Sequence, residues 1–177
     1  DRRARSSAAS AGSVGAWAAK WVQMWGTLLR KLYMSKYDLR EYSESRCREY
    51  GSQGCPDDLE PEAKLYPVKT VAMVKSAAEA WKSLGSGNPI AVCSNRGFTT
   101  TLRDGFCDPS GTWNHCMGIR GRVIAKRGGS AKKAFPIQNS WASYLGGDPW
   151  YIDYYTGEKV ELPEGCFLAD YDVVDDM

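Results

Sequence analysis

His115 is the chain's one histidine. An imidazole is the side chain whose ordinary pKa lies nearest neutrality, so it can take up and return a proton there. It stands in Trp113-Asn114-His115-Cys116-Met117, after a long polar stretch and where a strand is expected to begin. Asn139 stands in Ile137-Gln138-Asn139-Ser140-Trp141, at the end of the next expected strand. Two adjacent antiparallel strands can set a His and an Asn side by side. An Asn carbonyl oxygen accepting the imidazole N–H would fix the ring's orientation and tautomer. Trp141 would then cover that bond and keep water from it.

Such a pair needs a nucleophile to activate. Six cysteines are available: Cys47, Cys55, Cys93, Cys107, Cys116 and Cys166. Cys93 and Cys116 are nearest to the pair along the chain. Cys116 adjoins His115 on a strand, so the two side chains point to opposite faces. Cys93 ends a short strand, and neither cysteine opens a helix that would lower its thiol pKa. Both read first as small buried hydrophobes. An even count permits disulfides, and Cys47 could pair with Cys55. A chain of this length does not need such staples, so mostly free thiols in a reducing compartment are expected. There is no Cys-x-x-Cys pair. With a single histidine, neither a zinc site nor any other metal or cofactor is expected.

The elements that must position these residues change character along the chain. Residues 1–12 (DRRARSSAASAG) are small, polar and basic and read as a flexible arm. From Ser13, Trp17, Trp21, Trp25, Leu28, Leu29 and Leu32 recur at helical spacing, which predicts a helix of about 20 residues. A second helix is expected over 39–50, closed by Gly51, and a third over 68–84 with Val71, Val74, Ala77, Ala78 and Trp81 on one face. Residues 51–66 read as a loop. Then the period shortens. Pro89–Ser94 reads as a buried strand, 95–112 as a loop, 115–126 as a strand, 127–130 as a turn and 135–139 as a strand. The segment Trp150-Tyr151-Ile152-Asp153-Tyr154-Tyr155-Thr156-Gly157 reads as a hairpin arm, and Gly165–Ala169 as a closing strand. Helices first and antiparallel strands second predict an α+β domain, in which a cleft forms where the halves meet.

Composition narrows the partners. The chain has 177 residues, 23 basic and 21 acidic side chains and a net charge of +2, which does not point to nucleic acid. Arg2, Arg3 and Arg5 at one end, and Asp170, Asp172, Asp175 and Asp176 at the other, read as solvated termini. No apolar run of about 18 residues suggests a membrane span. No charged-then-apolar leader opens the chain, so no signal peptide is expected, and the start at Asp1 fits a processed product or fragment.

The ordered segments Asn88-Pro89-Ile90-Ala91-Val92, Trp113-Asn114-His115-Cys116-Met117-Gly118-Ile119 and Ile137-Gln138-Asn139-Ser140-Trp141 resemble the C-terminal half of papain-like cysteine peptidases. Ser94-Asn95-Arg96-Gly97-Phe98 with Arg103-Asp104-Gly105 looks most like small papain-like proteins encoded by bacteriophages. Leu162-Pro163-Glu164-Gly165-Cys166-Phe167 resembles the family's closing strand. The resemblance spans 13–170, and its specific part is 88–141. It implies an N-terminal helical lobe with a long central helix (13–85) packed on a C-terminal antiparallel sheet lobe (86–170), with 171–177 as an acidic tail.

The family's nucleophile is a cysteine at the start of the long helix, where the dipole and the histidine stabilise its thiolate. Ser13, in Gly12-Ser13-Val14-Gly15, occupies that position here. The family's oxyanion-hole glutamine lies about six residues earlier, where this chain has Ser7; losing one such donor typically costs about 100-fold in rate or more. The resemblance therefore assigns Ser13, His115 and Asn139 to the catalytic position and Cys93, Cys116 and Trp141 to the substrate wall. Ser13 admits three explanations: a natural pseudoenzyme, a disabling substitution, or a nucleophile supplied elsewhere. The expected function is an impaired or inactive papain-like protein acting as a structural or interaction subunit of a phage virion, with an active or disabled thiol peptidase as the alternative. Expected partners are proteins or peptides, including other subunits of a larger assembly, in a virion or host cytoplasm.

Overall fold

The computed structural model describes residues 15–41, 43–140, 144–175 and 177, with the backbone alone at 44, 47, 48, 51 and 52. The basic arm, Ser13, Trp141 and Asp176 lie outside these residues. The chain forms two compact units, 1–72 and 73–177, and its architecture is α+β with antiparallel sheets.

The first unit holds α1 (Gly15–Trp25), a small hairpin of β1 (Leu32–Tyr33) and β2 (Tyr37–Asp38), α2 (Glu44–Gln53) and α3 (Glu60–Lys64). The expected long helix is corrected here: α1 ends at Trp25, and Leu32 belongs to β1. Gly26 supplies the reason. It adopts φ +77°, and a Cβ there would lie 1.9 Å from the Ala63 carbonyl oxygen, so the chain turns against α3 through a residue that only glycine can fill. None of the residues of α1 is buried. The turn between β1 and β2 spans 34–36, with Met34 and Ser35 in the left-handed region at φ 51° and 52° and Lys36 N donating to Tyr33 O at 3.0 Å. Tyr33 is buried, and its hydroxyl accepts from Leu29 N at 2.7 Å. Helix α2 starts later than expected because Ser43 caps it, its Oγ accepting from Arg46 N at 3.3 Å, and it closes at Gly54 rather than Gly51.

The second unit opens with α4 (Ala77–Gly85), half the expected length. Ser76-Ala77-Ala78-Glu79 is a capping box. Ser76 Oγ accepts from Glu79 N at 3.2 Å, and Glu79 Oε2 reaches back to Lys75 N at 2.8 Å, so residues 68–75 stay outside the helix. Then come β3 (Ile90–Phe98), β4 (Thr101–Leu102), β5 (Pro109–Ile119), β6 (Val123–Arg127), β7 (Ser130–Gln138), β8 (Gly146–Gly147), β9 (Trp150–Asp153), β10 (Lys159–Glu161), β11 (Cys166–Asp170) and α5 (Tyr171–Asp175). The expected loop at 95–112 is largely strand, and the expected strand at 115–126 is two strands joined by a turn at 120–122.

The main sheet runs β10-β9-β6-β7-β5-β3, with β11 also on β7. Strand β7 is its centre. β11 pairs along one edge, while β6 and then β5 pair along the other. Alternate residues of β7 and β11 enter two cores. Phe135, Ile137 and Phe167 join α4, β3 and β5, whereas Ala134 and Leu168 join Phe106, Ala125 and Tyr151. Burial on both faces explains the continuous apolar run Cys166-Phe167-Leu168-Ala169. The expected acidic tail is a packed element instead. Tyr171, Val173, Val174 and Met177 lie against the core, and Asp175 Oδ1 accepts from Ala77 N at 2.6 Å, satisfying a donor in the first turn of α4. Among the described residues, no helix is long and apolar enough to cross a membrane.

Candidate functional site

His115 lies midway along β5 on the face that carries Trp113 and the buried Met117. Asn139 is the first residue beyond β7. Gly118 pairs with Gln138 across β5 and β7, and one more step of that register sets Asn139 opposite Met117 and diagonal to His115 on the same face. Diagonal neighbours are within reach of long side chains, and the contact is made: His115 Nε2 lies 2.8 Å from Asn139 Oδ1. An amide oxygen only accepts, so Nε2 carries the proton and Nδ1 is the basic nitrogen of the neutral ring.

Asn139 is 3% exposed, the one buried polar residue among the described core. Its backbone is held on both sides. Asn139 N donates to Gly165 O at 3.1 Å, and Gln138 Nε2 donates to Asn139 O at 3.0 Å and to Glu164 O at 2.9 Å. Arg120 Nη1 in turn donates to Gln138 Oε1 at 3.1 Å. Tyr144 completes the surroundings. Burial pushes its phenol up to about 12, a rise that the neighbouring Asn139 side chain opposes. Its ring meets Trp113 edge-on at 6.4 Å, and Trp113 meets Phe98 edge-on at 5.9 Å. The buried amide thus meets the imidazole beside aromatic rings, which shields that bond from competing water.

The strand pair that carries His115 is irregular. Ser94 lies directly across from His115, and the register shifts between Ser94 and Arg96 and again before Phe98. Gly97 allows the close crossing there, since a Cβ would meet the Ser110 carbonyl oxygen at 2.3 Å. Ser94 Oγ accepts from Arg96 N at 3.0 Å.

Cys93 and Cys116 correct an expectation. They are directly opposed in β3 and β5 and form a disulfide, and both face solvent rather than the core. A bonded sulfur is not a thiolate, so in this state neither is a nucleophile. The reason is register: residue types that read as buried hydrophobes fall on the outer face of a half-exposed strand pair. Cys107 and Cys166 are buried thiols, each pushed up to about 11 by burial. Free thiols are therefore found at these two, as expected.

Of the residues assigned by sequence, His115 and Asn139 come together, and Cys93 and Cys116 lie on the opposite face of the β3–β5 pair. Ser13 and Trp141 lie outside the described residues. Sequence reasoning missed Tyr144 and Ser94, because aromatic and hydroxyl residues recur throughout 94–144 and only register singles these out. No group of three or more His, Cys, Asp or Glu side chains suited to a metal occurs among the described residues. An open groove of about 480 Å³ on this unit is lined by Phe98, Thr99, Thr100, Thr101, Arg103, Asp108 and Ser110. Neither His115 nor Asn139 lines it. Chemically, the pair offers an oriented base at Nδ1, able to take a proton from a thiol or hydroxyl brought to it. Comparisons with protein families, characterised proteins and solved structures give no match.

Proposed function

We propose that the chain is a papain-like peptidase scaffold whose nucleophile position carries Ser13, and that it serves as a non-catalytic, protein-binding subunit. A phage virion is the setting that fits its resemblance to small phage papain-like proteins. The observation that carries the scaffold reading is the 2.8 Å bond from His115 Nε2 to Asn139 Oδ1. It leaves Nδ1 as the nitrogen for a nucleophile, the role division of a Cys-His-Asn site. The reading requires residue 13 to come within hydrogen-bond reach of Nδ1.

Loss of activity follows from chemistry. A His–thiolate pair is held as an ion pair before substrate arrives, whereas a serine hydroxyl stays protonated until attack. Residues 1–12 also contain no glutamine to serve as the family's oxyanion donor. The protein-binding role is supported by the oriented polar pair, which persists when the chemistry is lost. The second reading, a thiol peptidase disabled at one position, is favoured by the His115–Asn139 bond itself, since that orientation serves proton transfer.

Ser13→Cys separates them. With His115 as its partner, the new thiol should ionise below the usual range, about 8.5, and react with an iodoacetamide probe near pH 6 about tenfold faster or more than in Ser13→Cys/His115→Ala. His115-dependent labelling without peptide hydrolysis supports the non-catalytic subunit. Labelling with hydrolysis supports the disabled peptidase. Equal labelling with and without His115 removes both.

A further inference from the structure

We propose that the Cys93–Cys116 pair is a solvent-facing thiol–disulfide exchange site whose redox state sets how firmly His115 is held against Asn139. The inference stands on the sheet's geometry and goes beyond the peptidase-scaffold reading.

Three observations carry it. First, access: Cys93 and Cys116 are both exposed, in contrast to the buried Cys107 and Cys166. Exchange requires a thiolate to approach a sulfur in line, and both residues of this disulfide are exposed. Second, place: β3 is the edge strand of its sheet, and the disulfide joins it to β5 at the pair next to Ser94 and His115. Immediately beyond that pair the ladder shifts register. The cross-link is thus the last clamp before an irregular stretch. Third, the other edge of β5 is weakly tied. It meets β7 through two registered pairs, Gly118 with Gln138 and Ile119 with Ile137. His115 Nε2 bonds to Asn139 Oδ1 just beyond the end of β7. Around residue 115 the registered strand partner of β5 is β3, and the disulfide fixes that pairing.

The reductant is a dithiol, small or protein-borne. One of its thiolates attacks a sulfur of the Cys93–Cys116 bond, forms a mixed disulfide and expels the other cysteine as thiolate. The reductant's second thiol then attacks the mixed disulfide and releases the remaining cysteine. The protein gains two electrons and two protons as two thiols, and the reductant leaves as its own disulfide. The reverse sequence with an oxidised dithiol restores the cross-link.

The test uses the full chain, oxidised, in native buffer. Dithiothreitol is added, accessible thiols are tagged with a maleimide, and tagged peptides are mapped by mass. Amide exchange is then compared across residues 112–119 in the oxidised and reduced protein. The expected result is tagging at Cys93 and Cys116 without denaturant, none at Cys107 or Cys166, and exchange over 112–119 at least about tenfold faster after reduction, restored by reoxidation. Cys93→Ser/Cys116→Ser should exchange like the reduced protein whatever the redox conditions. Two results overturn the proposal. One is tagging of Cys93 and Cys116 only after unfolding. The other is exchange over 112–119 that does not differ between the two states, a comparison that holds for the unmutated protein even if the double variant fails to fold.

Discussion

The two residues of the candidate pair are held by different means. Asn139 follows β7, the strand flanked on both edges and buried on both faces, and its own backbone is hydrogen-bonded to the 164–165 turn. His115 sits on β5, whose outer face is exposed, whose partner β3 is an edge strand, and whose ladder breaks one step away. Packing positions the amide, while strand pairing and a cross-link position the imidazole. Cores tolerate little displacement, and exposed strand pairs open more readily. Asn139 is the fixed member and His115 the adjustable one.

Breaking the fixed side should have the largest effect. Phe167 is fully buried beside Phe98, with ring centroids 4.8 Å apart, and Phe167→Ala should cost about 3–5 kcal/mol in urea unfolding. Breaking the adjustable side should cost less. The disulfide spans 23 residues, and chain entropy assigns it about 3 kcal/mol, to be read as the loss in stability of Cys93→Ser/Cys116→Ser relative to the oxidised protein. A cost at least equal to that of Phe167→Ala would reverse the contrast.

Asn139→Ala sharpens it further. It removes the acceptor of His115 Nε2, with an expected loss of about 1–3 kcal/mol by the same unfolding measurement. The smallest effect at neutral pH comes from titration. Cys107, Cys166 and Tyr144 are all raised by burial, to about 11, 11 and 12. The folded state therefore holds these protons where the unfolded chain releases them. Stability is fully present below the unfolded values, near 9 for the thiols and 10 for the phenol, and falls as pH rises towards 12. Urea midpoints measured from pH 7 upward should decline only above about 9, with each Cys→Ala variant flattening that decline.

Part of this was legible in the residues. Period-two alternation around His115 and the apolar run before Asn139 predict strands, and parity then allows both side chains on one face. The capping box at Ser76–Glu79 and the glycine at 26 were also readable, and would have shortened two helices had they outweighed the apolar spacing. Register was not readable. Nothing local says that Cys93 meets Cys116 or that Ser94 meets His115, since alternation gives the face and leaves the offset open. The aspartates of 170–176 hid α5 because their charge outweighed the spacing of Tyr171 and Val174. Sequence cannot show that Asp175 is spent on capping another helix.

One ring proton decides how His115 is paired with Asn139. His115 is the chain's one histidine, so its nitrogen signals need no assignment. A long-range nitrogen–proton NMR spectrum near pH 8 reads the tautomer directly. The prediction is a proton held on Nε2, with the two tautomers mixing once Asn139 becomes alanine. A proton held on Nδ1, or a ring whose tautomer balance ignores Asn139, would contradict the account.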